Sequence, residues 1–146
     1  MPLEPGVIDA NILIYAVNTD APQHAVSRRL LEAALEPTVT LYVTPQILCE
    51  FYSVITNPKR IATAFTAAQA KQIIIDLLEL PGLRILATPA QAALKLTELL
   101  KRHPVTGAGI FDLQIVATMQ ANNVLRVYTF NSADFQIFPD LQVIAP

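Results

Sequence analysis

Residues 6–17 read GVIDANILIYAV. Gly6–Ala10 is a short β-rich run that leads directly into the apolar Asn11–Val17, which is how a parallel strand hands over to a helix. An acid stands at the junction: Asp9 lies between Val7–Ile8 and Ile12–Leu13. Burying a lone carboxylate is expensive, so Asp9 either lines a pocket or is paired.

Working outward, the same alternation repeats. Pro22 stands where a first helical turn would start, and Ala25–Glu36 carries Leu30, Leu31, Ala34 and Leu35 at helical spacing. Val39–Val43 alternates as VTLYV, a second strand ended by Thr44–Pro45. Thr before Pro is a good N-cap followed by a good first helical residue, which predicts a helix over Pro45–Asn57. Thr66 with Gln69 three residues on makes a capping box for a helix to about Leu80. Leu83–Leu86 reads as a short strand, Thr88–Pro89 as the opening of a helix to about Arg102, and Gly109–Asn122 as another helix. Leu125–Tyr128 is the last central strand, with Val143–Ile144 as an edge. Short strands alternating with helices predict one α/β domain over residues 1–146, a three-layer α/β/α sandwich on a mostly parallel central sheet. In such sheets sites form beyond the carboxyl ends of the strands.

Composition narrows the function classes. The chain has 146 residues, 53% apolar and only 15% charged, with 10 Lys and Arg against 12 Asp and Glu. That length supports one substantial core without disulfides. The scarcity of charge points to an outer surface partly covered by a partner. A balanced charge and a pI near 5.6 argue against non-specific polyanion binding. The longest apolar run, Ile12–Val17, is far too short to span a bilayer, so no membrane segment is expected. The first nine residues contain no Lys or Arg, unlike a secretory signal, and the single cysteine, Cys49, forms no internal disulfide; a reducing cytoplasm is the expected compartment.

Twelve acids can be sorted one by one. Asp76 and Glu79 extend a polar stripe with Gln69 and Gln72, and Glu32, Glu36 and Glu98 lie near cations or helix ends, all readable as solvated faces. Asp9 is out of place for the reason given. Glu50 lies in QILCEFYSVI on a narrow polar stripe with Gln46, Ser53 and Asn57; the plain alternative is a stripe facing solvent. Asp112, in GIFDLQIVATM, shares a face with Ile115 and Val116; its plain alternative is a first-turn acid stabilised by the helix dipole. Asn131 and Asp134, in TFNSADF, follow the last central strand, where they also fit a loop of local turns. If these groups gather at the strand ends, several carboxylates converge and a cation must neutralise them. Oxygen-only ligands select Mg2+ or Mn2+. Neither His24 nor His103 has a partner at zinc-ligand spacing.

This order of motifs resembles the PIN-domain ribonucleases, and within them the VapC-type toxins of bacterial toxin–antitoxin systems. The resemblance covers nearly the whole chain: VIDAN with Asp9 and Asn11, CEFYSV with Glu50, GAGIFDLQIVATM with Asp112, then Thr129, Asn131, Asp134 and Phe135 before a final Val-Ile-x-Pro. It implies a PIN-like fold and an endoribonuclease that uses Mg2+ or Mn2+ to activate water for attack on an RNA phosphodiester. Asp9, Glu50 and Asp112 correspond to the catalytic and metal-binding acids, with Asn131 and Asp134 as further ligand candidates and Asn11 and Thr129 as groups that fix them. Many relatives have Asp where Asn131 stands, so whether Asn131 or Asp134 completes the site, and for one ion or two, stays open. The resemblance also implies a cognate antitoxin laying an apolar segment along the early helices, and a homodimer. Among three basic pairs, Arg28–Arg29, Lys59–Arg60 and Lys101–Arg102, the pair Lys59–Arg60 follows the Glu50 helix most directly and is the candidate RNA contact. An aspartyl phosphatase would want Asp-x-Asp after the first strand, where Asn11 occupies the second position, and the paired acids of a receiver-like domain are absent. The alternative that remains is a PIN-like scaffold, weak or inactive as an enzyme, that binds RNA or protein.

Overall fold

The computed structural model describes residues 3–146. Its centre is a five-stranded sheet of β1 (Gly6–Ile8), β2 (Leu41–Val43), β3 (Leu83–Ile85), β4 (Arg126–Tyr128) and β5 (Gln142–Ile144). The strands lie in the order β3-β2-β1-β4-β5 and every neighbouring pair is parallel, so the expected mostly parallel sheet is parallel throughout. Val7 sits at its middle, beside Tyr42 on one side and Val127 on the other. Val7, Ile8, Leu41, Val43 and Val127 are all completely buried, as strands covered on both faces require.

The connections explain the layers. Helices α1 (Ala10–Val17) and α2 (His24–Ala33) join β1 to β2, and α3 (Pro45–Ile55) and α4 (Ala67–Leu78) join β2 to β3. The chain then returns through α5 (Gln91–Arg102) and α6 (Ile110–Ala121) to β4 on the far side of β1, and through α7 (Ser132–Gln136) to β5. Crossovers between parallel strands are right-handed, so reversing the direction of travel moves the helices to the opposite face. The helix contacts follow: α1 packs on α2 and α3, α3 on α4, and α5 on α6. This is the three-layer α/β/α arrangement. The reversal also makes the gap between the carboxyl ends of β1 and β4 the switch point of the sheet, where such folds open a crevice.

Local chemistry sets the helix starts. Thr44 caps α3, its hydroxyl accepting from the Ile47 N–H over 3.1 Å, with Pro45 in the first turn. Thr66 and Gln69 form the reciprocal capping box of α4, at 3.2 and 2.9 Å.

Several boundaries depart from the sequence pattern, among them the start of β2, at Leu41 rather than Val39. Pro22 lies in a turn before α2, and that helix ends at Ala33 rather than Glu36, because residues 34–36 tighten into three-residue turns. Helix α5 begins at Gln91; Pro89 precedes it in a tight turn closed by the Ala92 N–H to the Pro89 carbonyl, and no side chain caps it. The segment expected as a loop after β4 contains α7. Among the described residues, no helix is long and apolar enough to cross a membrane.

Candidate active site

Asp9 belongs to two elements at once. Its backbone N–H continues the ladder to the Tyr128 carbonyl at 3.0 Å, while its side chain caps α1, with Oδ1 accepting from the Ala10 N–H at 2.7 Å. Its Oδ2 accepts from Thr129 Oγ1 at 2.9 Å and from Asn11 Nδ2 at 3.3 Å. Thr129 follows β4, so the contact spans the switch point. Asn11 fastens the same junction twice more, donating to Thr129 Oγ1 at 3.1 Å and accepting from the Phe130 N–H at 3.2 Å. The Asn131 N–H donates to Thr129 Oγ1 at 3.0 Å. Thr129 is fully buried and its hydroxyl uses its donor and both acceptor positions.

Glu50 projects from the middle of α3 and is half-buried, which removes the alternative of a freely solvated stripe. Its Oε1 accepts from Gln46 Nε2 at 2.7 Å, and the same amide nitrogen donates to the Phe111 carbonyl at 3.1 Å. Phe111 precedes Asp112 in the first turn of α6, so Gln46 joins the helices that carry two of the three acids. The sequence places Gln46 on the Glu50 stripe without giving it a role; the signal was its four-residue spacing from Glu50.

The acids sense one another. Burial raises the Asp9 carboxyl above its ordinary range, the Thr129 hydroxyl and Ala10 N–H pull it back, and the negative charge of Asp134 raises it further. Glu50 is raised by burial and by Asp9, against the lowering effect of Gln46. Asp112 is pushed up to about 6, by burial first and then by Asp134, Asp9 and Glu50 in turn. Asp112 thus feels all three of the others. A helix-dipole role alone predicts the opposite direction, since a helix N-terminus favours the ionised form.

Among the described residues, no three His, Cys, Asp or Glu side chains are drawn together as a ready-made ligand set. Coulombic coupling reaches further than ligand spacing, so the two observations are compatible. Asp9 is held by Thr129 and Asn11 and Glu50 by Gln46, whereas the Asp112 side chain makes no hydrogen bond among the described residues. The donors are all oxygens, and burial together with mutual repulsion disfavours their ionised forms. A hard divalent cation relieves both effects, so the residues fit Mg2+ or Mn2+.

Asn131 and Asp134 part company here. Asn131 is exposed, precedes α7 without a side-chain cap, and enters the network through its backbone. Asp134, in the first turn of α7, is the acid whose charge reaches Asp9 and Asp112. Lys59 and Arg60 are exposed in the turn after α3, where the Lys59 N–H closes an Asx turn on Asn57 at 3.0 Å. The helical part of that path, Glu50–Ile55, alone rises about 7–8 Å from the acids. His24 binds the Tyr15 carbonyl through Nδ1 at 2.9 Å, and His103 packs edge-on against Phe138, so both are structural.

The PIN domain family model matches residues 6–140. Ribonuclease VapC43 of Mycobacterium tuberculosis is 30% identical over 128 residues, 87% of this chain and 84% of that protein. Among solved structures, Mycobacterium tuberculosis VapC20, described as a sarcin–ricin-loop cleaving toxin, superposes with a TM-score of 0.70 at 17% identity, over 98% of this chain and 100% of its own. VapBC2 from Rickettsia felis, solved bound to a DNA fragment from its promoter, gives 0.67 at 21% identity, over 97% and 98% of the two chains. The solved structures establish likeness of fold; the sequence matches carry the family.

Proposed function

Because this chain belongs to the PIN domain family, we propose that it is a divalent-metal-dependent endoribonuclease and the toxin of a type II toxin–antitoxin pair. The observation that carries the reading is the electrostatic coupling of Asp112 to Asp134, Asp9 and Glu50 at the switch-point end of the sheet. Burial and repulsion of this kind gather at sites that bind cations or move protons.

Asp9, Glu50 and Asp112 would hold the ion, Mg2+ or Mn2+. Asp134, which bears a charge and is coupled to two of these acids, is a better fourth donor than Asn131. When bound, such an ion supplies Lewis acidity, lowering the pKa of the attacking water and offsetting charge on the scissile phosphate. Thr129 and Asn11 fix the Asp9 carboxylate, so its orientation does not depend on substrate. The rise of Asp112 to about 6 belongs to the metal-free chain and reflects burial and repulsion that a bound cation would relieve. Lys59 and Arg60, exposed and in no ion pair among the described residues, are available to RNA phosphates.

An antitoxin has an apolar surface to cover. A groove of about 330 Å³ between α1, α2 and α4 is lined mostly by apolar side chains, Leu31, Leu35 and Leu77 among them, with Arg28, Glu32 and Asp76 also on its walls, and Leu35 is 59% exposed. An apolar antitoxin segment lying there accounts for the low surface charge, and a second copy of this chain would cover more of the surface.

The test is cleavage of a structured RNA by the purified chain freed of antitoxin. Cleavage with Mn2+, none with EDTA, and none by Asp9→Asn is the expected result. Cleavage independent of metal, or equal activity in Asp9→Asn, overturns the reading; RNA binding without cleavage would favour a scaffold.

A further inference from the structure

We infer that Gln46 is a positioning residue for the nuclease site, fixing Glu50 and locking α3 against α6; the inference rests on the metal-nuclease reading above. Its amide nitrogen has two N–H bonds and both are spent: one on Glu50 Oε1 at 2.7 Å, the other on the Phe111 carbonyl at 3.1 Å. The first contact alone would be an ordinary one-turn pair on a helix surface. The second reaches 65 residues along the chain to the carbonyl beside Asp112. Together the two contacts bridge the helices that carry Glu50 and Asp112.

The chemistry of the amide suits the task. A neutral donor orients one carboxylate oxygen without cancelling its charge, and leaves Oε2 without a protein hydrogen bond among the described residues, free for a cation. Lys or Arg at this position would neutralise Glu50 and compete with the ion. Glu would lose both donors and repel Glu50. Asn is one methylene shorter and cannot span the same two acceptors.

Outer groups that orient metal ligands in this way are typically worth about 10–100-fold in metal affinity or activity. The test compares wild type, Gln46→Met, Gln46→Ala, Glu50→Gln and the double variant Gln46→Met/Glu50→Gln, using calorimetric titration with Mn2+ alone and separate kcat and KM values on RNA. We expect Gln46→Met and Gln46→Ala to weaken Mn2+ binding about tenfold and lower kcat about as much, with KM for RNA within about twofold of wild type. In the Glu50→Gln background, Gln46→Met should change Mn2+ binding by clearly less than its effect in the wild-type background, because one of its two contacts acts through Glu50 while the Phe111 contact remains. Wild-type Mn2+ affinity in both single variants, or full multiplication of the effects in the double variant, overturns the inference. A wild-type chain that neither binds Mn2+ nor cleaves RNA overturns the nuclease reading instead.

Discussion

Asp9 and Thr129, 120 residues apart in the chain, meet across the switch point of the sheet, the Thr129 hydroxyl donating to Asp9 Oδ2 over 2.9 Å. The same hydroxyl accepts from Asn11 Nδ2 and the Asn131 N–H, so one buried oxygen ties the end of β1, the start of α1 and the start of α7 together. Thr129→Val keeps the shape, removes the acceptor of the Asn131 N–H, and leaves Asp9 Oδ2 and Asn11 Nδ2 with only their mutual 3.3 Å contact. Unpaired buried polar groups cost about 1–3 kcal/mol, which for a chain of this size lowers Tm by roughly 2–10 °C. Loss of a group that orients a ligand should lower Mn2+-dependent cleavage by about 10–100-fold. Thr129→Ser retains the hydroxyl and should recover most of the activity; if it behaves like Thr129→Val, the hydroxyl is not what matters.

The raised acids fix the sign of a pH dependence. In the metal-free chain the folded pKa of Asp112 is about 6 against 3.8 for the ordinary group, so between these values the native state binds more protons than the unfolded state. Stability is therefore greatest below the lower value, falls as pH rises through this window, and stays reduced above about 6. Asp9 and Glu50, also raised, act in the same direction. Asp112 is partly exposed, so solvent screening reduces its share to about 1 kcal/mol. Thermal melts in EDTA should give a higher Tm at pH 5 than at pH 7.5, and Asp112→Asn should flatten the slope. A Tm that rises steadily from pH 5 to 7.5 would contradict the raised acids.

Adding metal should oppose that loss. A cation that binds only the folded state stabilises it by about 2.7 kcal/mol at a hundredfold excess over its dissociation constant. Mn2+ at pH 7.5 should raise the wild-type Tm by several degrees, and by less at pH 5, where protons compete. Asp112→Asn removes a repelled carboxylate, so without metal it should be at least as stable as wild type, while responding less to Mn2+. A large loss of metal-free stability in this variant would return Asp112 to a structural role at the helix N-terminus.

What could be read from the sequence depended on whether the determining interaction was local. Thr44–Pro45 and the Thr66–Gln69 box encode their helix starts within four residues, and both form as expected. Thr88–Pro89 presents the same pair and does not cap α5; the turn at Pro89–Ala92 separates it from the helix. Asp9 stood out because a carboxylate between two apolar pairs needs a reason. Its link to Thr129 depends on a strand order that no local pattern encodes. Gln46 was visible only as part of a stripe, since its second acceptor, the Phe111 carbonyl, belongs to a helix that arrives later in the chain. The choice between Asn131 and Asp134 likewise turns on α7, which aims one into the network by its backbone and brings the other's charge to the acids.

Gly82 is a structural position with no part in the site. Its N–H donates to the Ala34 carbonyl and its carbonyl accepts from the Leu41 N–H, both at 2.7 Å, so it stitches the end of α2 to the start of β2 just ahead of β3. A Cβ added there would lie 2.8 Å from the Val39 carbonyl oxygen and 2.9 Å from those of Ala34 and Glu36. These are backbone atoms, so relief requires moving the α2–β2 connection and stretching its hydrogen bonds. Overpacking of this kind costs about 1–3 kcal/mol, and more when backbone must shift. Gly82→Ala should lower Tm by several degrees. Because the clash is remote from the acids, the Mn2+ affinity of the folded variant, measured well below its Tm, should stay within about twofold of wild type. A wild-type Tm in Gly82→Ala would show that this connection moves more freely than the packing around it implies.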